Sequence, residues 1–150
     1  MTDAANTFIY VTYIRTTREK LWEALTNPEF NRQYWMGAHQ ESDWKVGSPW
    51  KIVLADGRTA DSGEVLEIEP MKRVVLKWRN EFMPELKAEG FSRCTYAIEE
   101  TDGVMKLTVT HEADAAPKLI GAVSRGWPQI LSGLKSLLET GKGLKDAPQS

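Results

Sequence analysis

At 150 residues, 41% hydrophobic and 27% charged, the chain has the size and composition of one globular domain with a continuous core. A net charge of −2 without a basic stripe speaks against nucleic acid as a partner, and no apolar run approaches the ~20 residues that cross a bilayer. The opening MTDAANTFIY lacks the basic and apolar regions of a secretory signal, and Cys94 is the only cysteine, so a cytoplasmic protein with no internal disulfide and no membrane partner is expected.

Phe8 to Ile14 is a run of aromatic and β-branched residues that predicts a strand, apolar on both faces and so either covered twice or laid beside a helix. Thr16 or Thr17 is placed to cap a helix with Glu19 and Glu23 in its early turns. The apolar stripe of that helix is Leu21, Trp22 and Leu25, and Trp22 is expected in the core. Asn27-Pro28 breaks this helix and starts a second short one reaching about Trp35. Met36 to Gly47 is a polar connection with room for a short strand, and His39 within it is expected to be solvated.

Five strands are predicted next. Trp50 to Leu54 places Trp50, Ile52 and Leu54 on one face, and Asp56-Gly57 is a hairpin signal. Gly63 to Glu69 places Leu66 and Ile68 together. Arg73 to Asn80 sets Val74, Leu76 and Trp78 opposite Arg73, Val75, Lys77 and Arg79. The connection from Glu81 to Gly90 carries Phe82, Met83, Pro84 and Leu86 among charges, which suits either a lid over a cavity mouth or a loop packed on the sheet. Phe91 to Glu100 aligns Cys94, Tyr96 and Ile98. Asp102-Gly103 makes a second tight turn, and Val104 to Glu112 directs Met105, Leu107, Val109 and His111 one way.

A long helix is predicted from about Lys118 to Thr140. Its stripe is Ile120, Val123, Trp127, Ile130, Leu131, Leu134, Leu137 and Leu138, and Gly141 is a natural stop. Pro128 costs ~3 kcal/mol inside a helix and should kink it or mark its true start. The polar tail, residues 144–150, is expected to fray. With no βαβ alternation and one apolar sheet face, the fold class is α+β, the sheet being antiparallel and covered by the last helix.

The segment YIRTTREKLWEALTNPEF resembles the strand–helix opening of START-like (SRPBCC) domains, and more specifically that of the heat-shock-protein-90 ATPase activator homologue family. SDWKVGSPW and GEVLEIEP extend the likeness. GWPQILSGLKSLLETG is similar to that family's closing helix, a Gly-Trp followed by leucines and a terminal Leu-Glu-x-Gly. The likeness covers roughly residues 8 to 143. It implies a helix-grip fold, in which a curved antiparallel sheet wraps a long C-terminal helix and two short helices follow the first strand. It also implies an elongated, mostly apolar cavity between sheet and helix. Members of the wider superfamily bind lipids, hormones or polyketides, and some are cyclases or hydrolases. The family's eukaryotic activators add a separate N-terminal domain, for which 150 residues leave no room.

With two histidines, one cysteine, no phosphate-binding glycine loop and no Gly-x-Ser-x-Gly elbow, no metal or cofactor is expected and no catalytic residue is assigned. The candidate ligand-binding residues are Trp50, Ile52, Leu54, Trp78, Tyr96, Leu107, Val109 and His111 on strands, with Trp127, Ile130 and Leu131 on the last helix. Trp50, Trp78 and Tyr96 read equally as core packing, and for Trp127, in the helix stripe, core packing is the stronger reading. His111 stays open between a satisfied structural histidine, a group that orients a ligand, and an acid–base catalyst with no nucleophile beside it. The expected function is binding of a small hydrophobic or amphipathic molecule. A chaperone-associated or stress-response module is the alternative, a cyclase or hydrolase the third reading, and a chaperone and a homodimer stay open as partners.

Overall fold

The computed structural model describes residues 6–144, so the expected frayed tail lies outside the described residues apart from Leu144. The chain runs β1 (Thr7–Ile14), α1 (Arg18–Thr26), α2 (Pro28–Tyr34), β2 (His39–Ser42), β3 (Pro49–Val53), β4 (Thr59–Glu69), β5 (Arg73–Asn80), α3 (Pro84–Lys87), β6 (Ser92–Thr101), β7 (Val104–Glu112) and α4 (Pro117–Thr140). The strands form one seven-stranded antiparallel sheet ordered β1-β7-β6-β5-β4-β3-β2, each beside its neighbour in sequence except β1, which pairs with β7. The curved sheet holds α4, with α1 and α2 after β1, which is the helix-grip architecture.

Local chemistry explains the helix boundaries. Thr17, not Thr16, caps α1, its Oγ1 accepting from the Lys20 N–H at 3.2 Å. Asn27 closes α1 through its N–H to the Glu23 carbonyl, and its Oδ1 caps α2 by accepting from the Glu29 N–H. With Pro28 in the first turn, α2 begins where α1 ends, without a loop. The start of α4 has no side-chain cap of its own. Glu89, from the connection after α3, supplies one, its two carboxylate oxygens accepting from the Lys118 and Leu119 N–H groups. Gly141, at φ 86°, ends α4 with its N–H on the Leu137 carbonyl.

Pro128 does not mark the start of α4, which is helical from Pro117 onward. Trp127 and Leu131 on either side of it are buried, and at ~1.5–3 kcal/mol per large apolar side chain they offset the ~3 kcal/mol proline penalty.

β4 departs most from expectation. It begins at Thr59 rather than Gly63, and Leu66 is a bulge, since Val65 pairs with Leu76 while Glu67 pairs with Val75. The bulge resets the alternation. Fully buried Val65 shares the inner face with Ile68, in place of the expected pairing of Leu66 with Ile68. The longer β4 also brings Asp61 and Gly63 onto that face. Gly63 lies between Trp50 of β3 and Trp78 of β5, and the two indoles meet above it with ring centroids 4.5 Å apart.

α4 packs along β1, α1 and α2. Its Glu139 accepts from the Arg15 N–H at 2.8 Å, and Gly133 lets it approach α2 so closely that an added Cβ would sit 3.3 Å from the Tyr34 carbonyl oxygen. β1 therefore has the flanking helix expected of it but not cover on both faces, since Ile9, Val11 and Tyr13 are 58%, 43% and 47% exposed. Trp22 is half-buried at the margin of the core rather than inside it. His39 lies in β2, not in solvent, with its side chain 13% exposed.

Candidate functional site

Trp50, Trp78 and Trp127 are buried, and the indole N–H of each has its own polar partner. Trp50 donates to Gln40 Oε1 at 3.0 Å, Trp78 to Asp61 Oδ2 at 2.7 Å, and Trp127 to His111 Nδ1 at 3.3 Å. These anchors hold the rings in a cluster around Trp127, whose centroid is 5.4 Å from Trp35, 5.8 Å from Trp78 and 5.9 Å from Tyr96.

The anchors differ in chemistry. Gln40 Oε1 also accepts from the Tyr96 hydroxyl at 2.9 Å, and its amide donates to the Leu25 carbonyl, tying the sheet to the end of α1. In His111, Nδ1 accepts from Trp127, so Nε2 carries the proton. It donates to Ser92 Oγ at 2.8 Å, and that hydroxyl donates to the Trp78 carbonyl. Both ring nitrogens are therefore engaged within the protein and neither is free for a ligand. Burial holds the ring neutral and lowers its pKa to about 3. Asp61 is the only carboxylate among the anchors. Burial raises its pKa to about 6 against the hydrogen bonds from Trp78 and Asn80, with the charge of Glu81 adding to the rise.

Between the β3–β5 end of the sheet and the first half of α4 lies a cavity of about 290 Å³. The sheet side contributes Ile52, Leu54, Asp61 and Trp78, and α4 contributes Leu119, Val123, Trp127 and Ile130. Trp35 and Met36 follow from the end of α2, and Met83 and Leu86 complete the wall. Leu86 also packs on Ala116 and Leu119 at the start of α4, so this segment packs against the last helix and lines the cavity.

Of the residues expected from the sequence, the cavity thus brings together Ile52, Leu54, Trp78, Trp127 and Ile130. Tyr96, Leu107, Val109, His111 and Leu131 are buried in the core away from it. Trp50 borders a larger groove of about 890 Å³ whose walls include Glu41, Asp43, Lys51, Glu64 and Lys77, too charged to suit an apolar guest. Sequence reasoning missed Asp61, Gln40, Trp35 and Leu119. Counting back by twos from Val65 through Gly63 reaches Asp61, which is the one signal that pointed to it. Among the described residues, no three His, Cys, Asp or Glu side chains gather to hold a metal ion, and no helix is long and apolar enough to cross a membrane.

The two titrating anchors oppose one another. His111 stays neutral when folded but protonates in the unfolded chain below its ordinary pKa of 6.5. Its contribution to stability is therefore complete above that pH and lost as pH falls toward about 3. The folded chain keeps a proton on Asp61 that the unfolded chain releases, so that contribution is complete below 3.8 and lost as pH rises to about 6. Asp56, Glu67, Glu81 and Glu139 have lowered pKa values, so as pH falls toward 4.5 and below the unfolded chain takes up protons that the folded chain refuses, and these groups add to the loss of stability there. Between about pH 5.3 and 6, above the range where those carboxylates contribute, the slopes of His111 and Asp61 are each about 1 kcal/mol per pH unit with opposite sign, and urea denaturation should give nearly constant stability. In Asp61→Asn the same measurement should show stability rising by about 1 kcal/mol per pH unit. A variant as flat as the parent would mean that one of the two groups is not held as described.

The family described as Activator of Hsp90 ATPase homolog 1-like protein matches residues 15–139. No curated protein matches the chain. Among solved structures, protein MLL2253 from Mesorhizobium loti is 26% identical with a TM-score of 0.74, over 88% of this chain and 96% of that one. The Aha1 dimer from Colwellia psychrerythraea is 20% identical with a TM-score of 0.72, over 91% and 98% of the two chains. CalU16 from Micromonospora echinospora is 18% identical with a TM-score of 0.72, over 94% and 83%. At such low identity the last two show likeness of fold alone. The family match over most of the sequence, with the helix-grip architecture it shares with these structures, establishes that this chain belongs to the Activator of Hsp90 ATPase homolog 1-like family of START-like domains.

Proposed function

We propose that the protein binds a small hydrophobic or amphipathic molecule between β3–β5 and α4. The observation that carries this reading is the cavity itself, an apolar space of about 290 Å³ walled partly by indoles whose N–H groups are already bonded to the protein. The space communicates with solvent, so water occupies it when no guest is present, and an apolar guest gains by displacing that water from aliphatic and indole walls. The cavity volume stands at the lower end of ligand pockets, near ~300 Å³, and suits a one- or two-ring molecule or a short chain rather than a full-length lipid. Thermal unfolding with a panel of indoles, naphthalenes, short-chain alcohols and long-chain lipids tests this. Ring compounds and short chains should raise the Tm, by an amount equivalent to ~2.7 kcal/mol at 100 times Kd. No shift with any member would remove the reading.

A second reading, a chaperone-associated interaction module, is favoured by one surface observation. Ile9, Val11 and Tyr13 form an exposed apolar row on the edge strand β1, where a chaperone or a second copy of the chain can dock. The family description and the dimeric Colwellia relative agree with such a role. An Hsp90 homologue should then hydrolyse ATP faster with this protein present, and the gain should vanish in Val11→Asp. An unchanged rate would set the reading aside.

A further inference from the structure

We propose that the cavity selects an organic cation, a protonated amine on an apolar or aromatic body, whose N–H donates to Asp61 Oδ1 while the body lies among Trp35, Trp78 and Trp127. The proposal rests on the cavity being a ligand site and names the chemistry of its occupant.

The geometry of Asp61 is the starting point. The residue is 9% exposed and lines the cavity. Its Oδ2 accepts from Trp78 Nε1 at 2.7 Å and from Asn80 Nδ2 at 3.4 Å, while its Oδ1 accepts from none of the described residues. That oxygen is not sealed off either. Among the described residues the one sealed, unpartnered polar side-chain atom is Thr16 Oγ1. Oδ1 therefore keeps access to solvent with its lone pairs unspent, on a residue that lines the cavity.

A carboxylate is also more than the fold requires at this position. Trp50 and Trp127 are anchored by neutral acceptors, Gln40 and His111, and a neutral acceptor would anchor Trp78 equally well. A negative charge at an apolar wall carries a desolvation penalty that an indole N–H and an amide repay only in part. A charge surplus to the fold, with one oxygen unpartnered on a residue that lines the ligand space, points to a ligand.

The surroundings select the sign of that ligand. Among the described residues, Asp61 is the only ionisable one lining the cavity. The neighbouring β3 and the α2 and α4 segments present only apolar side chains there, and β5 presents Trp78 and Asn80. Glu81 is nearby but is held by Arg79 and Lys87, Tyr96 is bonded to Gln40, and His111 lies neutral behind Trp78. Among the described residues no cationic side chain lines the cavity to meet Oδ1, and an anionic ligand would meet a like charge. The π-systems of the indoles attract cations.

Four probes of similar size separate the outcomes by calorimetric titration at about pH 7.5: 2-phenylethylamine, 2-phenylethanol, propylbenzene and 3-phenylpropionate. The amine should bind at least about tenfold tighter than propylbenzene, and the carboxylate weakest. The advantage of the amine should disappear in Asp61→Asn, with folding of the variant confirmed by its melting curve. It should also shrink in the unaltered protein as pH falls to about 5 and Asp61 takes up a proton, a readout that needs no variant. Propylbenzene binding as tightly as the amine, or the alcohol matching it, would overturn the cation proposal and leave the cavity reading standing. Failure of all four probes to bind would overturn both.

Discussion

Gly63→Ala should lower the unfolding free energy by at least about 4 kcal/mol, because the new methyl cannot be accommodated by side-chain adjustment. An ideal Cβ at this position would lie 1.7 Å from the Lys77 carbonyl oxygen, which is backbone of the paired strand β5. Relief requires β4 and β5 to part where Asp61, Trp78 and the cavity floor are built. The fitting control is Gly121→Ala in α4, where the nearest atom is Arg125 Nη1 at 3.8 Å and alanine should stabilise the helix by ~0.5–1 kcal/mol. Urea denaturation reads both variants. A Gly63→Ala protein as stable as its parent would show that β4 and β5 do not approach as described.

Trp127→Ala is expected to cost about 3–5 kcal/mol for the lost ring and the space left behind. Trp127 is 3% exposed and touches Trp35, Trp78 and Tyr96. The substitution also leaves His111 Nδ1 without its donor. Trp127→Phe separates the two effects, since it retains an aromatic ring but removes the N–H. An orphaned buried acceptor should add about 1–3 kcal/mol to the modest packing loss. If Trp127→Phe were as stable as the parent, the indole–imidazole bond would carry no weight in the fold.

β5, β6 and β7 were legible in the sequence because their inner rows are unbroken. Val74, Leu76 and Trp78, then Cys94, Tyr96 and Ile98, then Met105 through His111 repeat at every second residue and are all buried. β4 was not legible, for two reasons. Its first half, Thr-Ala-Asp-Ser-Gly, is small and polar and reads as a continued turn, and the bulge at Leu66 reverses which residues face inward. Asp61 was lost with that half-strand, and Gln40 with the polar connection that turned out to contain β2. The cap on α4 could not be foreseen, because Glu89 and Leu119 are 30 positions apart and meet only in the folded chain.

The candidate site was legible as a surface but not in depth. Alternation identifies which residues face the helix, and it placed Ile52, Trp78, Tyr96, Leu107 and His111 on the same inner surface. It carries no information on where that surface is filled and where it stands open. The gap falls at the β3–β5 end, where Trp35 and Met36 just after α2 and Met83 and Leu86 at α3 complete the wall, and such contacts between distant segments have no periodic signature.

The most direct test asks whether the space between sheet and α4 admits an apolar guest. An isotope-labelled sample offers six tryptophan indole N–H signals for an NMR titration with benzene, a probe known to enter apolar cavities. The signals of Trp35, Trp78 and Trp127 should move first and saturate together, while those of Trp22 and Trp44 hold still. Shifts confined to Trp22 and Trp44, or no saturable shift in any of the six, would contradict an accessible cavity beneath α4.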